Sequence, residues 1–252
     1  MHGVKRLDAW RRPEGSRPFV LGHRGARHAA PENTLRAFEL ALEEGADGVE
    51  LDVRLDGDGR VIVLHDRTLG RVSGGTELRD AEELGEAELA RVSVGGERVP
   101  LLADVLAWAR ERRTRVNVEL KADGSRPLAL ARSVARVVCA SGVGSECVLF
   151  SSFDALLVAA LGVLSPTLPR AQLIDAGGRL DRREERGFRF LADGVNPHRE
   201  LVTGEAMAHW KPAGALVATW TVNDASEARR LSALGVDSII SDEPGKILSA
   251  LA

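Results

Sequence analysis

Short apolar runs alternate with longer amphipathic stretches along most of the chain. The apolar runs are rich in Val, Ile and Leu, a composition typical of parallel strands that are covered on both faces. The predicted strands are residues 19–21, 48–53, 61–64, 115–120, 147–150, 171–174, 194–195, 216–218 and 236–240. The stretches with apolar residues at helical spacing are residues 35–44, 102–112, 128–141, 154–161 and 225–234.

This alternation of strand and helix, repeated about eight times, predicts an α/β fold in which the strands close into a (β/α)₈ TIM barrel. The 252 residues of the chain match the length of such a barrel, which is typically ~250 residues. The alternative is a doubly wound open sheet, but the glycine-rich dinucleotide fingerprint is missing after the first predicted strand.

Two segments depart from the alternation. Residues 1–17 are predicted to be a polar leader of weak order, which leaves residues 18–252 as the barrel domain. Residues from about 67 to 100 are rich in Gly, Glu and Arg and have only a short helical pattern. We expect them to form a small insertion on the barrel rim after the second strand, too small for a core of its own.

Composition and charge narrow the possible partners. The formal net charge of −3 provides no basic field for nucleic acid or an anionic membrane, so we expect a small-molecule partner. The chain has no secretory signal core and no apolar run of the roughly 18 residues that would span a bilayer. A cytoplasmic location without stable membrane insertion is therefore the expectation. Cys139 and Cys147 are expected to be reduced, buried thiols.

In a parallel barrel, functional side chains gather at the carboxyl ends of the strands. The polar residues that end or follow the predicted strands are His23, Arg24, Glu50, Asp52, His65, Asp66, Glu119, Lys121, Ser151, Ser152, Asn196, His198, Asn223, Ser241 and Asp242.

The acidic members of this set suggest a metal site. Glu50 and Asp52 are two residues apart in a strand and so share one face, and Glu119 and Lys121 repeat that spacing in another strand. Buried carboxylates are costly unless a cation or hydrogen bonds neutralise them. Three carboxylates without a cysteine cluster suit a hard cation such as Mg²⁺ or Ca²⁺. The alternative is an internal salt-bridge network that includes Arg24 and Lys121.

The basic members suit acid–base chemistry on a phosphate. His23 and His65 follow separate predicted strands, and imidazole titrates near neutral pH, although a lone histidine at a strand end is often structural. Arg24 provides a planar fork and Lys121 a point charge, a pairing that suits a phosphate.

Three further features have two interpretations each. Glu32 and Asn33 precede an amphipathic stretch and suit a helix start, with a possible second role in orienting His23. Phe153 and Trp220 are either core aromatics or walls of a pocket.

Six sequence segments, in order, resemble the glycerophosphodiester phosphodiesterase family of the phosphatidylinositol phospholipase C-like phosphodiesterase superfamily. The first is HRGARHAAPENTLRAFELALEEGADGVELDVRLDGDGRVIVLHD at residues 23–66. The others are NVELK at 117–121, FSSFD at 150–154, VNPH at 195–198, TWTVND at 219–224 and GVDSIISDEPG at 235–245. The resemblance covers nearly the whole chain from about residue 19, and it also matches the small insertion after the second strand.

The resemblance implies an enzyme that hydrolyses glycerophosphodiesters to sn-glycerol 3-phosphate and an alcohol with a bound divalent cation, Mg²⁺, Ca²⁺ or Mn²⁺. By position in the motifs, the metal ligands are Glu50, Asp52 and Glu119, the acid and base are His23 and His65, the phosphate ligands are Arg24 and Lys121, and Trp220 lines the substrate pocket. Phe153 is added to the pocket from its position at a strand end. It further suggests that the neighbouring hydroxyl of the glycerol attacks the phosphorus. The alternatives are a lysophospholipase D-like or phospholipase C-like enzyme and a non-catalytic binder of phosphate ligands. The leaving alcohol, the oligomeric state and the division of roles between the histidines stay open.

Overall fold

Eight parallel strands close into a barrel in the computed structural model, which describes residues 5–177 and 191–252. The strands are β1 (Phe19–His23), β2 (Gly48–Leu55), β3 (Val61–Val63), β4 (Arg115–Leu120), β5 (Val148–Ser152), β6 (Arg170–Ile174), β7 (Gly194–Pro197), β8 (Leu216–Thr219) and β9 (Ser238–Ser241). Neighbours around the barrel run in chain order without β3, and β9 pairs with β1 to close it. The predicted (β/α)₈ architecture is therefore confirmed.

Helices cover the outside of the barrel, except for the short α1 in the leader and the short α3 in the insertion. The helices in the described residues are α1 (Lys5–Asp8), α2 (Leu35–Glu43), α3 (Glu86–Leu89), α4 (Leu102–Arg112), α5 (Pro127–Ser141), α6 (Ala155–Leu164), α7 (Gly204–Trp210), α8 (Ala225–Leu234) and α9 (Pro244–Leu251). Several begin at a side-chain cap, as where Thr34 accepts a hydrogen bond from the Ala37 amide at the start of α2. The predicted helix start at residues 31–34 is thus confirmed.

The strand β3 is not a barrel strand, contrary to the prediction. It pairs antiparallel with β2 as a hairpin. Only residues 56–60 separate the two strands, and a parallel crossover needs about a dozen residues or more. The hairpin runs back toward the barrel, and the amide of Leu64 donates to the carbonyl of Asp52 at 2.9 Å. His65 follows β3, and so reaches the barrel mouth on a returning strand.

The insertion that follows β3 packs its apolar residues on that strand. Leu69 and Leu84 are fully buried in a small cluster with Ile62 and Leu64. The cluster therefore combines residues of the insertion with residues of the hairpin.

Residues 5–17 pack against the barrel, so the prediction of weak order is wrong for this part of the leader. Trp10 is 2% exposed and lies among Leu21, Leu149 and Leu216 inside the barrel. Its indole nitrogen donates to the carbonyl of Ser145 at 2.8 Å. One large aromatic side chain therefore anchors an otherwise polar segment, because it packs among apolar residues of the barrel strands. Residues 1–4 lie outside the described residues.

The two cysteines differ in their exposure to solvent. Both cysteines are free, but Cys139 is exposed on α5, contrary to the prediction that it is buried. Cys147 is buried, which raises the pKa of its thiol to about 11.

Among the helices that the structure describes, none combines the length and the hydrophobicity needed to cross a membrane.

Candidate active site

Strand register brings the predicted polar residues together at one end of the barrel. His23 on β1 pairs with Glu50 on β2, and Asp52 on β2 pairs with Glu119 on β4. Glu119 in turn pairs with Ser151 on β5. Because side chains two residues apart share a face, one inward-facing row holds most of the predicted chemistry.

The three acidic residues form a compact cluster. One carboxylate oxygen from each of Glu50, Asp52 and Glu119 lies within 4.8 Å of the others, and all three residues are buried. Burial and the charge of Asp52 raise the pKa of Glu50 well above its usual range. Burial and the same charge raise the pKa of Glu119 to about 7.

Two cations lie beside this cluster. The Lys121 amine is 2.8 Å from Oδ1 of Asp52 and also contacts Glu119, and Nε of Arg24 is 3.1 Å from Oδ2 of Asp52. Burial opposes the ionised form of Asp52, but Lys121 and Arg24 outweigh it and lower the pKa of that carboxyl. The predicted salt-bridge alternative is therefore present in part, centred on Asp52.

The carboxylate of Glu50 differs from the other two. Within the described residues, Glu50 has no ion pair with a side chain and accepts one hydrogen bond, from the amide of Arg24 at 3.1 Å. A buried carboxylate with a raised pKa and so little compensation fits a divalent cation, which would restore the charge balance. The cluster could thus bind a metal ion, as the spacing predicted.

A carboxylate orients His23. The Nδ1 atom of His23 lies 2.6 Å from Oδ1 of Asp242, whose other oxygen accepts from Nδ2 of Asn223 at 2.7 Å. Burial lowers the pKa of His23, although the bond to Asp242 acts in the opposite direction. The ring is therefore neutral near pH 7, with its proton on Nδ1 and Nε2 available for proton transfer.

His65 has the same arrangement. Its Nδ1 atom lies 2.6 Å from Oδ1 of Asp66, and burial lowers the pKa of the imidazole. Arg54 fixes the backbone there, since its Nε and Nη2 donate to the carbonyl of His65 at 2.9 and 2.7 Å while Nη1 is 2.7 Å from Asp123. In both predicted histidines Nδ1 is bound to an aspartate, so Nε2 is the nitrogen left for proton transfer.

The loop that follows β1 is held in an unusual backbone conformation. Arg24, Gly25 and Asn33 have φ angles of 57°, 85° and 56°, a region that residues other than glycine rarely adopt. A Cβ atom on Gly25 would lie 2.5 Å from the carbonyl carbon of Ala37 on α2. Glycine therefore allows this loop to contact the helix, and the contact places Arg24 at the barrel mouth.

Glu32 and Asn33 do not orient His23, contrary to the suggestion from sequence. Glu32 accepts from Nη1 of Arg24 at 3.0 Å, and Nδ2 of Asn33 donates to Asp52 at 2.9 Å. Glu32 instead holds Arg24, and Asn33 holds Asp52.

Aromatic side chains form one wall of the cavity. Trp220 meets Phe153 edge to face, with ring centroids 5.6 Å apart, and its indole nitrogen donates to the carbonyl of Asn196 at 2.8 Å. Phe153 is 45% exposed and is therefore not a core residue. The cavity has a volume of about 380 Å³, counting space open to solvent. Its lining includes His23, Arg24, Glu50, His65, Glu119, Lys121, Phe153 and Trp220.

Sequence reasoning missed the roles of Asp242, Asp66 and Arg54. The two aspartates were recognised as polar residues near strand ends, but no role was given to them. Arg54 continues the series of alternate residues Glu50 and Asp52 along β2, and that spacing was the available signal. Ser151 and Ser152 donate to Asn117 and to the Leu120 carbonyl, so their hydroxyls are engaged in the barrel wall.

Comparison with known proteins agrees with this geometry. The sequence pattern of the Glycerophosphoryl diester phosphodiesterase family matches residues 23–246. A glycerophosphodiester phosphodiesterase of Bacillus altitudinis is 30% identical over 237 residues, which cover 90% of this chain and 95% of that protein. One of Caldanaerobacter subterraneus subsp. tengcongensis is 29% identical over 237 residues, covering 92% and 96%.

A solved structure extends the comparison to the fold. A phosphodiesterase of Oleispira antarctica, in complex with its product sn-glycerol-3-phosphate, superimposes with a TM-score of 0.86. The sequences are 29% identical, and the alignment covers 93% of this chain and 96% of that one.

Proposed function

The chain belongs to the glycerophosphoryl diester phosphodiesterase family, and from this premise we propose that it hydrolyses glycerophosphodiesters to sn-glycerol 3-phosphate and an alcohol. The observation that carries the proposal is one cavity lined by Glu50 and Glu119 of the three-carboxylate cluster, by two cations and by two histidines. The bound product in the Oleispira antarctica enzyme supports the same substrate class.

Glu50, Asp52 and Glu119 would hold a divalent cation, Mg²⁺, Ca²⁺ or Mn²⁺. When bound, this cation supplies positive charge that polarises the phosphoryl oxygens. Protons must leave Glu50 and Glu119 for the ion to bind, because burial and neighbouring charge raise the pKa of both carboxyls.

Arg24 and Lys121 would hold the phosphate. Nη1 of Arg24 donates to Glu32, whereas its Nη2 makes no hydrogen bond to any residue in the ranges 5–177 and 191–252. That nitrogen, with the amine of Lys121, can donate to phosphate oxygens on one side of the cavity. Trp220 and Phe153 provide an apolar wall for the carbon chain of the glycerol.

His23 and His65 would transfer the protons. Each ring is held at Nδ1 by an aspartate, so Nε2 of one can accept a proton from the attacking hydroxyl while Nε2 of the other, once protonated, donates to the leaving oxygen. The pairing with Asp242 and Asp66 stabilises the imidazolium that forms. The two rings are similar enough in surroundings that either assignment is consistent with the contacts.

The adjacent hydroxyl of the glycerol is the nucleophile that we favour. Ser151 and Ser152 are engaged in the barrel wall, and neither hydrogen bonds to a histidine in the described part of the chain. Attack within the substrate gains effective molarities of up to ~10⁵–10⁸ M when the groups are well oriented. The first step then releases the alcohol and forms a 1,2-cyclic phosphate, which water opens.

A panel of substrates tests the proposal. Purified protein with Mg²⁺, Ca²⁺ or Mn²⁺ should release sn-glycerol 3-phosphate from glycerophosphocholine and glycerophosphoethanolamine. Preferential cleavage of lysophospholipids would favour the lysophospholipase D-like alternative, and release of diacylglycerol from phospholipids the phospholipase C-like one. Binding of all diesters without turnover would favour a non-catalytic binder.

A diester that lacks the 2-hydroxyl tests the nucleophile. It should bind but turn over very slowly, and phosphorus NMR should detect the cyclic phosphate from the natural substrate. Normal turnover of the deoxy compound would assign the attack to water instead. The cytoplasmic location, the lack of nucleic-acid binding and the lack of stable membrane insertion stay predictions, and the oligomeric state stays open.

A further inference from the structure

Arg71 in the insertion contacts two carboxylates that each hold a residue of the candidate site. Its Nη1 and Nη2 atoms lie 2.8 and 2.7 Å from the two oxygens of Glu32, and its Nε lies 2.6 Å from Oδ2 of Asp66. Glu32 also binds Nη1 of Arg24, and Asp66 also binds Nδ1 of His65. A continuous chain of charge-assisted hydrogen bonds thus joins His65 to Arg24 through one guanidinium.

All four carboxylate oxygens of Glu32 and Asp66 accept bonds in this chain of hydrogen bonds. Oε1 of Glu32 accepts from both Arg24 and Arg71, while Asp66 divides its oxygens between His65 and Arg71. Burial opposes ionisation of Asp66, but the bonds from Arg71 and His65 outweigh it and hold the pKa of Asp66 near 2. Against the effect of burial, the bonds from Arg71 and Arg24 likewise lower the pKa of Glu32. Both carboxylates are therefore ionised at neutral pH and accept hydrogen bonds only.

The backbone beside Arg71 is fixed by the insertion. Leu69 is fully buried, and the amide of Ser73 donates to its carbonyl at 2.9 Å. The Arg71 side chain itself is 49% exposed, whereas that of Glu32 is 10% exposed. An isolated ion pair with such an exposed partner contributes little to stability.

From these contacts we propose that Arg71 is a positioning residue, by which the insertion holds Arg24 and His65 in the relative arrangement that turnover needs. This inference rests on the proposed function, since its main readout is diester hydrolysis. The planar fork is essential to it, because three N–H groups in one plane bind two separate carboxylates. A lysine at this position would keep the charge but could not make the three bonds together.

Arg79 provides a matched control within the insertion. Its side chain is 46% exposed and also bonds two carboxylates, those of Glu77 and Glu88. Neither Glu77 nor Glu88 contacts a residue of the candidate site within the described ranges. Removal of Arg79 therefore costs the same kind of ion pair without the connection to the site.

The experiment compares R71A, R71K and R79A with the wild type. We expect R71A and R71K each to lower kcat/KM by about 10–100-fold, because a small misplacement of Arg24 and His65 is enough to slow the reaction. R79A should stay within about twofold of wild type, and the thermal midpoints of all three variants should be similar. Added guanidinium should restore part of the activity of R71A but none of the loss in R71K.

A double variant tests the path of the effect. E32Q/R71A should be no slower than the slower of the two single variants, because both changes interrupt the same chain of hydrogen bonds between His65 and Arg24. The dissociation constant of sn-glycerol 3-phosphate should also rise in R71A, since Arg24 loses its fixed orientation.

The outcomes distinguish a failure of the proposed function from a failure of the positioning role of Arg71. An inactive wild type would overturn the proposed function. An active wild type with R71A equal to R79A, or fully additive losses in E32Q/R71A, would overturn the positioning role alone. If R71A fails to fold, R71K retains the charge and gives the same comparison.

Discussion

Replacement of Asp242 by Asn should slow catalysis through the tautomer of His23. Asp242 accepts two hydrogen bonds, from Nδ1 of His23 and from Nδ2 of Asn223. Asparagine has one acceptor and one donor, so one of the two partners must face an NH₂ group. Asn223 cannot turn to accommodate it, because its own oxygen accepts from Ser241 and from the Asp242 amide.

The magnitude follows from the polar contact that the reactive tautomer of His23, protonated at Nδ1, would leave unsatisfied against that NH₂ group. Such a contact costs about 1–3 kcal/mol when buried, and about 1.4 kcal/mol corresponds to a factor of ten in rate. We therefore expect D242N to lower kcat by roughly 5–150-fold. The carboxylate also raises the pKa of His23, so its loss should move the limb of the pH–rate profile that belongs to His23 to lower pH.

The assay is the pH dependence of sn-glycerol 3-phosphate release, with D224N as the control. Asp224 is exposed and caps α8 by accepting from the Glu227 amide. Asparagine caps helices equally well, so D224N should match the wild type. A D242N enzyme with wild-type kcat and an unmoved pH profile would refute the reasoning about His23.

Three further changes test the metal cluster and the loop after β1. E119Q should lose metal affinity in calorimetry while keeping its thermal midpoint. The control E111Q, which changes an exposed residue of α4, should keep the metal affinity of the wild type. Unaltered affinity in E119Q would remove Glu119 from the metal site. Metal affinity of the wild type should rise with pH between 5 and 7, because burial and neighbouring charge raise the pKa of Glu119 to about 7 and that of Glu50 well above its usual range, and protons compete with the ion. An affinity independent of pH between 5 and 7 would contradict this. G25A should lower the free energy of unfolding in urea by about 2–5 kcal/mol, the sum of a left-handed residue and the overlap with Ala37, and an unchanged urea midpoint would contradict the close contact.

The barrel was predictable because its signal is local. Apolar runs and helical spacing are properties of neighbouring residues, and they located the eight barrel strands and the longer helices. The same holds for Glu50, Asp52 and Glu119, since alternation along a strand decides which side chains share a face. The wrong assignment of β3 shows the limit: an apolar run does not reveal its direction, and here the length of the connecting turn decided it.

The supporting residues were less predictable because they come from distant parts of the chain. Asp242 meets His23 across 219 positions, and Arg71 meets Glu32 across 39. The local pattern places Asp242 after a strand but does not reveal its partner, and nothing in that pattern distinguishes Arg71 from a surface charge. The burial of Trp10 was missed for the same reason, since a single aromatic residue in a polar segment gives no periodic signal.

Metal-free protein provides the most direct test of the central claim, that the barrel mouth is a cation-dependent diesterase site. The measurement is the rate of sn-glycerol 3-phosphate release from glycerophosphocholine after chelation, with residual metal determined by mass spectrometry, and again after titration with Mg²⁺, Ca²⁺ or Mn²⁺. We predict that release stops on chelation and returns with at least one of these ions, saturating at one ion per chain. Undiminished release by protein shown to be free of metal would contradict the account.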